Sequence, residues 1–111
     1  MRQHHWHPPT DIYETETALV IRAEIPGMRE DLFQIYIDQN RLSIQGTRAD
    51  EVERKYHRSF HQMEIHFGDF YIQVAINTPV DIEKVSAEYK NGFLKVTLPK
   101  TLPRQISIQE D

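Results

Sequence analysis

Ala87-Glu88-Tyr89-Lys90-Asn91-Gly92-Phe93-Leu94 reads as two short strands folded back on each other. Asn-Gly is the dipeptide that most readily supplies the two positive-φ residues of a tight hairpin turn. The second strand carries apolar residues at Leu94, Val96 and Leu98 and stops at Pro99, which has no amide proton for a ladder bond. The same period of two runs through the rest of the chain. Leu19, Ile21, Ala23 and Ile25 alternate with Val20, Arg22 and Glu24, and Pro26-Gly27 then turns the chain. Phe33, Ile35 and Ile37 alternate with polar neighbours; after a turn at Gln39-Asn40, Leu42 and Ile44 do the same. Phe70, Ile72, Val74 and Ile76 share a face, as do Val85, Ala87 and Tyr89, and residues 11–14 add a short edge strand. Seven or eight short strands with turn signals between them predict an all-β antiparallel sandwich. Residues 50–56 have helical composition but are too few and too charged to bury a face.

Composition narrows the function. With 111 residues, 39% hydrophobic and 27% charged, the chain is one globular domain. A net charge of −4 with mixed signs recommends neither a nucleic-acid partner nor a membrane surface. No apolar run nears the roughly 18 residues of a membrane span, and no secretory signal is recognisable. The absence of cysteine excludes disulfides, thiolate catalysis and zinc–thiolate sites, and it fits a cytoplasmic protein.

No catalytic, cofactor-binding or metal-ligating set is expected. The chain lacks a Gly-x-Ser-x-Gly elbow, a phosphate-cradling glycine loop and a His-Glu-x-x-His pair. Glu64 and His66 fall on one side of a short strand, an arrangement that suits a cross-strand ion pair better than an acid–base dyad. His4, His5 and His7 surround Trp6, but no carboxylate or thiol completes a ligand set beside them. Trp6 reads instead as an apolar anchor, with Pro8-Pro9 stiffening the approach to the first strand.

Two segments do not fit a self-contained sandwich. Between Gly46 and Phe67 the chain exceeds the roughly 12–15 residues that loops in compact domains rarely pass. Val52, Tyr56, Phe60 and Met63 lie among its charges, enough apolar surface for a strand that pairs beyond its own sheet; a solvated loop is the alternative. The second segment is Ile106-Ser107-Ile108 in an otherwise polar tail, two knobs pointing the same way from an extended chain. Burying both is worth roughly 3–6 kcal/mol gross. Ordering each tail residue costs about 1–2 kcal/mol. One tail therefore docks weakly, whereas several in a closed assembly reinforce one another.

In order along the chain stand Pro9-Thr10-Asp11-Ile12-Tyr13-Glu14-Thr15, Ala23-Glu24-Ile25-Pro26-Gly27, Glu30-Asp31-Leu32, Leu42-Ser43-Ile44-Gln45-Gly46, Gly68-Asp69-Phe70, Val80-Asp81 and the motif Ala87…Asn91-Gly92-Phe93-Leu94. This ordered set resembles the α-crystallin domain of small heat-shock proteins, of the bacterial type, across residues 9–100. Residues 1–8 would then be a short arm, and residues 101–111 a tail with the Ile-x-Ile motif. The resemblance implies an immunoglobulin-like antiparallel sandwich and an ATP-independent holdase for unfolding client proteins, a homodimer that builds higher oligomers. It implies that Tyr56, His57, Arg58, Ser59 and Phe60 cross to the partner's edge strand at Asp11, Ile12 and Tyr13. It implies that Ile106 and Ile108 dock between strands 33–37 and 85–89, with Ile35, Ile37, Val85 and Ala87 as candidate lining. A co-chaperone module of the same sandwich type is the alternative, and it would need neither loop nor tail. Two departures stand out: residues 71–77 carry no arginine and no Leu-Pro, and only eight residues precede the domain, so weaker client capture is expected.

Overall fold

Seven antiparallel strands form two facing sheets in the computed structural model, which describes residues 5–29, 32–52, 56–101 and 107–109. They are β1 (Thr10–Glu14), β2 (Ala18–Glu24), β3 (Phe33–Asp38), β4 (Arg41–Arg48), β5 (Gly68–Ala75), β6 (Ser86–Lys90) and β7 (Phe93–Pro99). One sheet runs β1-β2-β7-β6 and the other β3-β4-β5. A 3-10 turn, Ile82–Lys84, joins β5 to β6; Asp81 caps it by accepting the Glu83 amide at 3.2 Å. The all-β sandwich expected from the alternation is therefore the architecture observed.

The period of two delivers the core. Rows Phe33–Gly46–Phe70, Ile35–Ile44–Ile72 and Ile37–Leu42–Val74 step across the smaller sheet. They pack against Leu19, Ile21, Ala23 and Ile25 and against Leu94, Val96 and Leu98. Among the described residues every buried side chain is apolar. Asn91 and Gly92 take φ values of 53° and 82°, the pair of positive angles the β6–β7 hairpin requires. Their turn lies against the end of β2, where the Ile25 amide donates to Gly92 O at 2.8 Å.

The chain start ties the two sheets together. Trp6 bridges β5 in parallel: its amide donates to Asp69 O at 3.1 Å, and the Tyr71 amide donates to Trp6 O at 3.2 Å. Past Pro8 the backbone crosses to the other sheet, where Pro9 O accepts the Glu24 amide at 2.9 Å and β1 begins. Trp6, ahead of the boundary expected at residue 9, is thus bonded into the sandwich. Of the four sheet edges, β6 faces β3 along one seam and β1 faces β5 along the other.

Gly46 leaves no room for a side chain beside the core. A Cβ there would lie 2.7 Å from Phe70 Cζ and 2.8 Å from Leu32 O, with one contact fixed backbone and the other a ring that fills the core. Gly46→Ala is expected to destabilise the domain by about 1–3 kcal/mol, the usual cost of overpacking. A lower urea midpoint at unchanged slope would show it.

Candidate functional site

The seam between β3 and β6 opens as a groove of about 460 Å³ lined by Phe33, Ile35, Ala87, Glu88, Tyr89 and Leu94. Tyr89 fixes its shape. Its hydroxyl donates to Ile25 O at 2.7 Å and accepts the Met28 amide at 3.3 Å, while its ring lies 5.1 Å from that of Phe33. The hydroxyl is engaged both as donor and as acceptor, so the ring presents a fixed apolar wall. Of the four candidate lining residues, Ile35 and Ala87 face the groove; Ile37 and Val85 are half-buried against the core and lie outside the lining. Phe33 and Tyr89 belong to the same alternating sets as Ile35 and Ala87, so the period could have identified them. Leu94 is the hairpin partner of Tyr89. Ile108 is 92% exposed, and Ile106 lies outside the described residues.

The opposite seam, between β1 and β5, is also open. Ile12 is paired with core residue Ile21 and shares its face, yet it is 52% exposed. It lines a mouth of about 430 Å³ with Pro8, Thr10, Ile72 and Val74. On the outer face of β1, Asp11 accepts from Arg22 at 3.2 Å, and Tyr13 is partly exposed. Glu14 accepts the Thr78 hydroxyl. Among the described residues no strand pairs with the far edge of β1.

The long excursion between β4 and β5 contains no strand among its described residues, and Val52, Tyr56, Phe60, Met63 and Ile65 are all exposed. Its root is clamped by Arg48, whose guanidinium donates to His66 O at 3.0 Å and to Pro26 O at 3.1 Å. The same group lies 4.5 Å from the centre of the Trp6 ring and 5.4 Å from that of Phe67. Trp6 in turn donates from Nε1 to Gly68 O at 3.1 Å, stacks on His66 at 5.5 Å and meets Phe70 edge-on at 5.6 Å. His66 is turned towards Trp6, and Glu64 accepts from Gln62; residues 64–66 form no strand, so the strand face expected to carry both groups is not made. Farther out, Arg58 reaches back to Asp50 at 2.5 Å and lies 4.9 Å from the Phe60 ring centre. The hydrogen bond from Arg58, with a second from the Val52 amide, holds the Asp50 carboxyl below its usual pKa. A depressed pKa keeps this link present at neutral pH and releases it only in acid, as the carboxylate takes its proton.

The outer face of the smaller sheet carries no charge at Gln34, Tyr36, Ser43, Gln45, Tyr71 and Gln73. Gln45 donates to Gln34 at 2.9 Å, and the hydroxyls of Ser43 and Tyr71 are 3.2 Å apart. Of the arginine-free stretch noted in the sequence, Tyr71 and Gln73 fall on this uncharged middle, while Asp38, Arg41 and Asp69 lie towards the ends of the same face. Among the described residues no cluster of three or more His, Cys, Asp or Glu side chains could hold a metal, and no helix is long and apolar enough to cross a membrane.

Two antiparallel sheets, an Asn-Gly hairpin, a long excursion after β4 and a groove between β3 and β6 define an α-crystallin-type sandwich. The Hsp20/alpha crystallin family pattern matches residues 11–110, and the chain belongs to that family, the small heat-shock proteins, which are not enzymes. It is 36% identical over 93 residues to small heat shock protein C4 of Rickettsia felis, covering 84% of this chain and 56% of that protein. It is 33% identical over 112 residues to a 22.7 kDa class IV heat shock protein of Pisum sativum, covering 95% of this chain and 56% of that one. The chain thus spans just over half the length of these relatives. Among solved structures, a small heat-shock protein from Xylella fastidiosa superposes with a TM-score of 0.78 at 28% identity, covering 96% of this chain and 100% of that one. Heat shock protein 16.0 from Schizosaccharomyces pombe gives 0.76 at 28% identity, covering 95% and 77%.

Trp6 is the one tryptophan of the chain, so its fluorescence reports the clamp directly. Arg48→Gln removes the cation over the ring and frees the root of the excursion. A red-shifted emission and a loss of about 1 kcal/mol in urea unfolding are expected.

Proposed function

We propose that this protein is an ATP-independent holdase in the cytoplasm: it binds apolar segments of unfolding proteins and keeps them from aggregating, without refolding them. The observation that carries this reading is the groove between β3 and β6, apolar at Phe33, Ile35, Tyr89 and Leu94 and open along its length. An extended chain with apolar residues two apart suits such a site, because alternate side chains point into it together. Ile106 and Ile108 have that spacing. In this reading the tails of neighbouring subunits occupy the grooves at rest and release them on warming, since each docks with a balance near zero. The excursion after β4 crosses to a partner subunit, where Tyr56, His57, Arg58, Ser59 and Phe60 add a strand beside Asp11, Ile12 and Tyr13. Support comes from the exposure of Tyr56, Phe60 and Ile12 together with the open edge of β1. No nucleotide-binding loop is present in the sequence to drive release.

The purified protein is expected to suppress heat aggregation of an unrelated client at near-stoichiometric ratio without nucleotide, read by light scattering. A folded oligomer that protects at no ratio would leave the co-chaperone module as the better reading. Ile106→Ser with Ile108→Ser is expected to leave dimers and to remove larger particles, with the far-UV spectrum unchanged. Molar mass by scattering decides it: an unchanged mass takes assembly away from the tail.

A further inference from the structure

The excursion rejoins the sandwich at a residue shaped to pivot. Gly68 forms the last rung of the β4–β5 ladder, opposite Arg48, and takes a φ of 95°, a left-handed angle that favours glycine. A Cβ built on it would meet nothing within 4 Å, so packing does not hold the angle. Residues 65–67, just before it, belong to no strand. What holds them comes from two side chains. Arg48 donates from Nε and Nη2 to His66 O and faces the Phe67 ring. Trp6 donates from Nε1 to Gly68 O and lies on the His66 imidazole, the two planes 14° apart.

We infer that the strap at Trp6 is a latch on this pivot: docked, it fixes the direction in which the excursion leaves β5, and released, it lets residues 65–67 turn about Gly68. Trp6 and Arg48 act together as positioning residues. The guanidinium is tethered to Pro26 O at 3.1 Å, and the indole face 4.5 Å away keeps its fork turned towards His66. Without the indole, Arg48 keeps the tether and loses the surface that orients it. The strap is also the part that opens first. It pairs with β5 at one residue, whereas β5 pairs with β4 along all 8 of its own. A bridge that short opens at a lower free energy than the ladder beneath it. Linkage makes the effect reciprocal: whatever turns the root weakens the docking of Trp6 by the same factor. One ring–cation contact sets that factor at about fivefold.

The use of such a latch rests on the reading that the excursion crosses to a second subunit. A root held in one direction loses less freedom on reaching a partner, so release of the strap lowers the hold of one subunit on the next. That reading is judged by mass: a dimer that persists when residues 51–62 are replaced by a short Gly/Ser connection removes it.

The latch itself is judged within the chain. Having no cysteine, the protein accepts a single nitroxide label. Ile65→Cys puts the label on an exposed position of the root, and Ser86→Cys puts it on the exposed start of β6 in the other sheet. Trp6→Ala should raise the ratio of mobile to immobile label at residue 65 about fivefold and leave residue 86 unchanged. Trp6→Phe, which returns a ring face to Arg48 without the Nε1 donor, should recover part of the loss. An unchanged spectrum at residue 65, an equal change at residue 86, or no recovery with Trp6→Phe overturns the latch. The reverse direction is read from Trp6 emission. Phe67→Ala should shift it to the red in the native chain and add nothing in Arg48→Gln, because the coupling runs through that guanidinium. No shift, or a further shift in the double variant, overturns the coupling. Both readouts use the full chain whatever its mass, so they stand or fall separately from strand exchange.

Discussion

A two-sheet sandwich of this size has one constraint on which everything else depends: the faces of the sheets must be held together by apolar contact, with polar links only at the rim. No buried polar group aligns them among the described residues. Alignment comes from shape, chiefly Phe70 filling the space that Gly46 leaves and the side chains of Phe33 and Tyr89 interlocking at the rim. Covalent ties are few as well, since the sheets are joined only by β2–β3, β5–β6 and the crossing at Pro8-Pro9. The cost of such a design appears at the seams. With four strands over three, neither seam closes, and each leaves apolar residues exposed.

The segments proposed to cover them are the parts of the molecule that do not obey the period of two. The excursion after β4 carries exposed apolar residues, as does the tail at Ile108, and both seams are lined in part by apolar side chains. Arg48 couples the two ends of this arrangement. By gripping the root of the excursion, the Pro26 turn and Trp6 together, it makes the position of the excursion depend on the docking of the first residues of the chain. A change at residue 6 is thereby felt at the segment proposed to cross between subunits.

The strands were legible because each is amphipathic and each hairpin has its own turn residues, Asn91-Gly92 above all. The register of β6 on β7 follows from that dipeptide, and the core list follows from the alternation. The groove was legible in part: Ile35 and Ala87 lie at it, whereas Phe33 and Tyr89, in the same alternating sets, were not singled out because alternation alone does not say which members of a set stand at an open seam. The strap at Trp6 was recognisable as an anchor but not as a bridge to β5, since a pairing of one residue leaves no period. Arg48 was hidden in a charged run. Nothing in composition distinguishes a guanidinium set between two rings from one in solvent.

The core is chemically plain as well as apolar. Its buried members are alanine, valine, leucine, isoleucine and phenylalanine, with no sulfur and no indole among them. Oxidants that convert methionine to sulfoxide or attack tryptophan meet Met28, Met63 and Trp6 outside that set, and there is no thiol to scramble. Damage of this kind therefore falls first on Trp6 and Met28 at the margin of the core and on exposed Met63, not on a fully buried side chain. A domain so composed ages at its contacts before it ages in its fold.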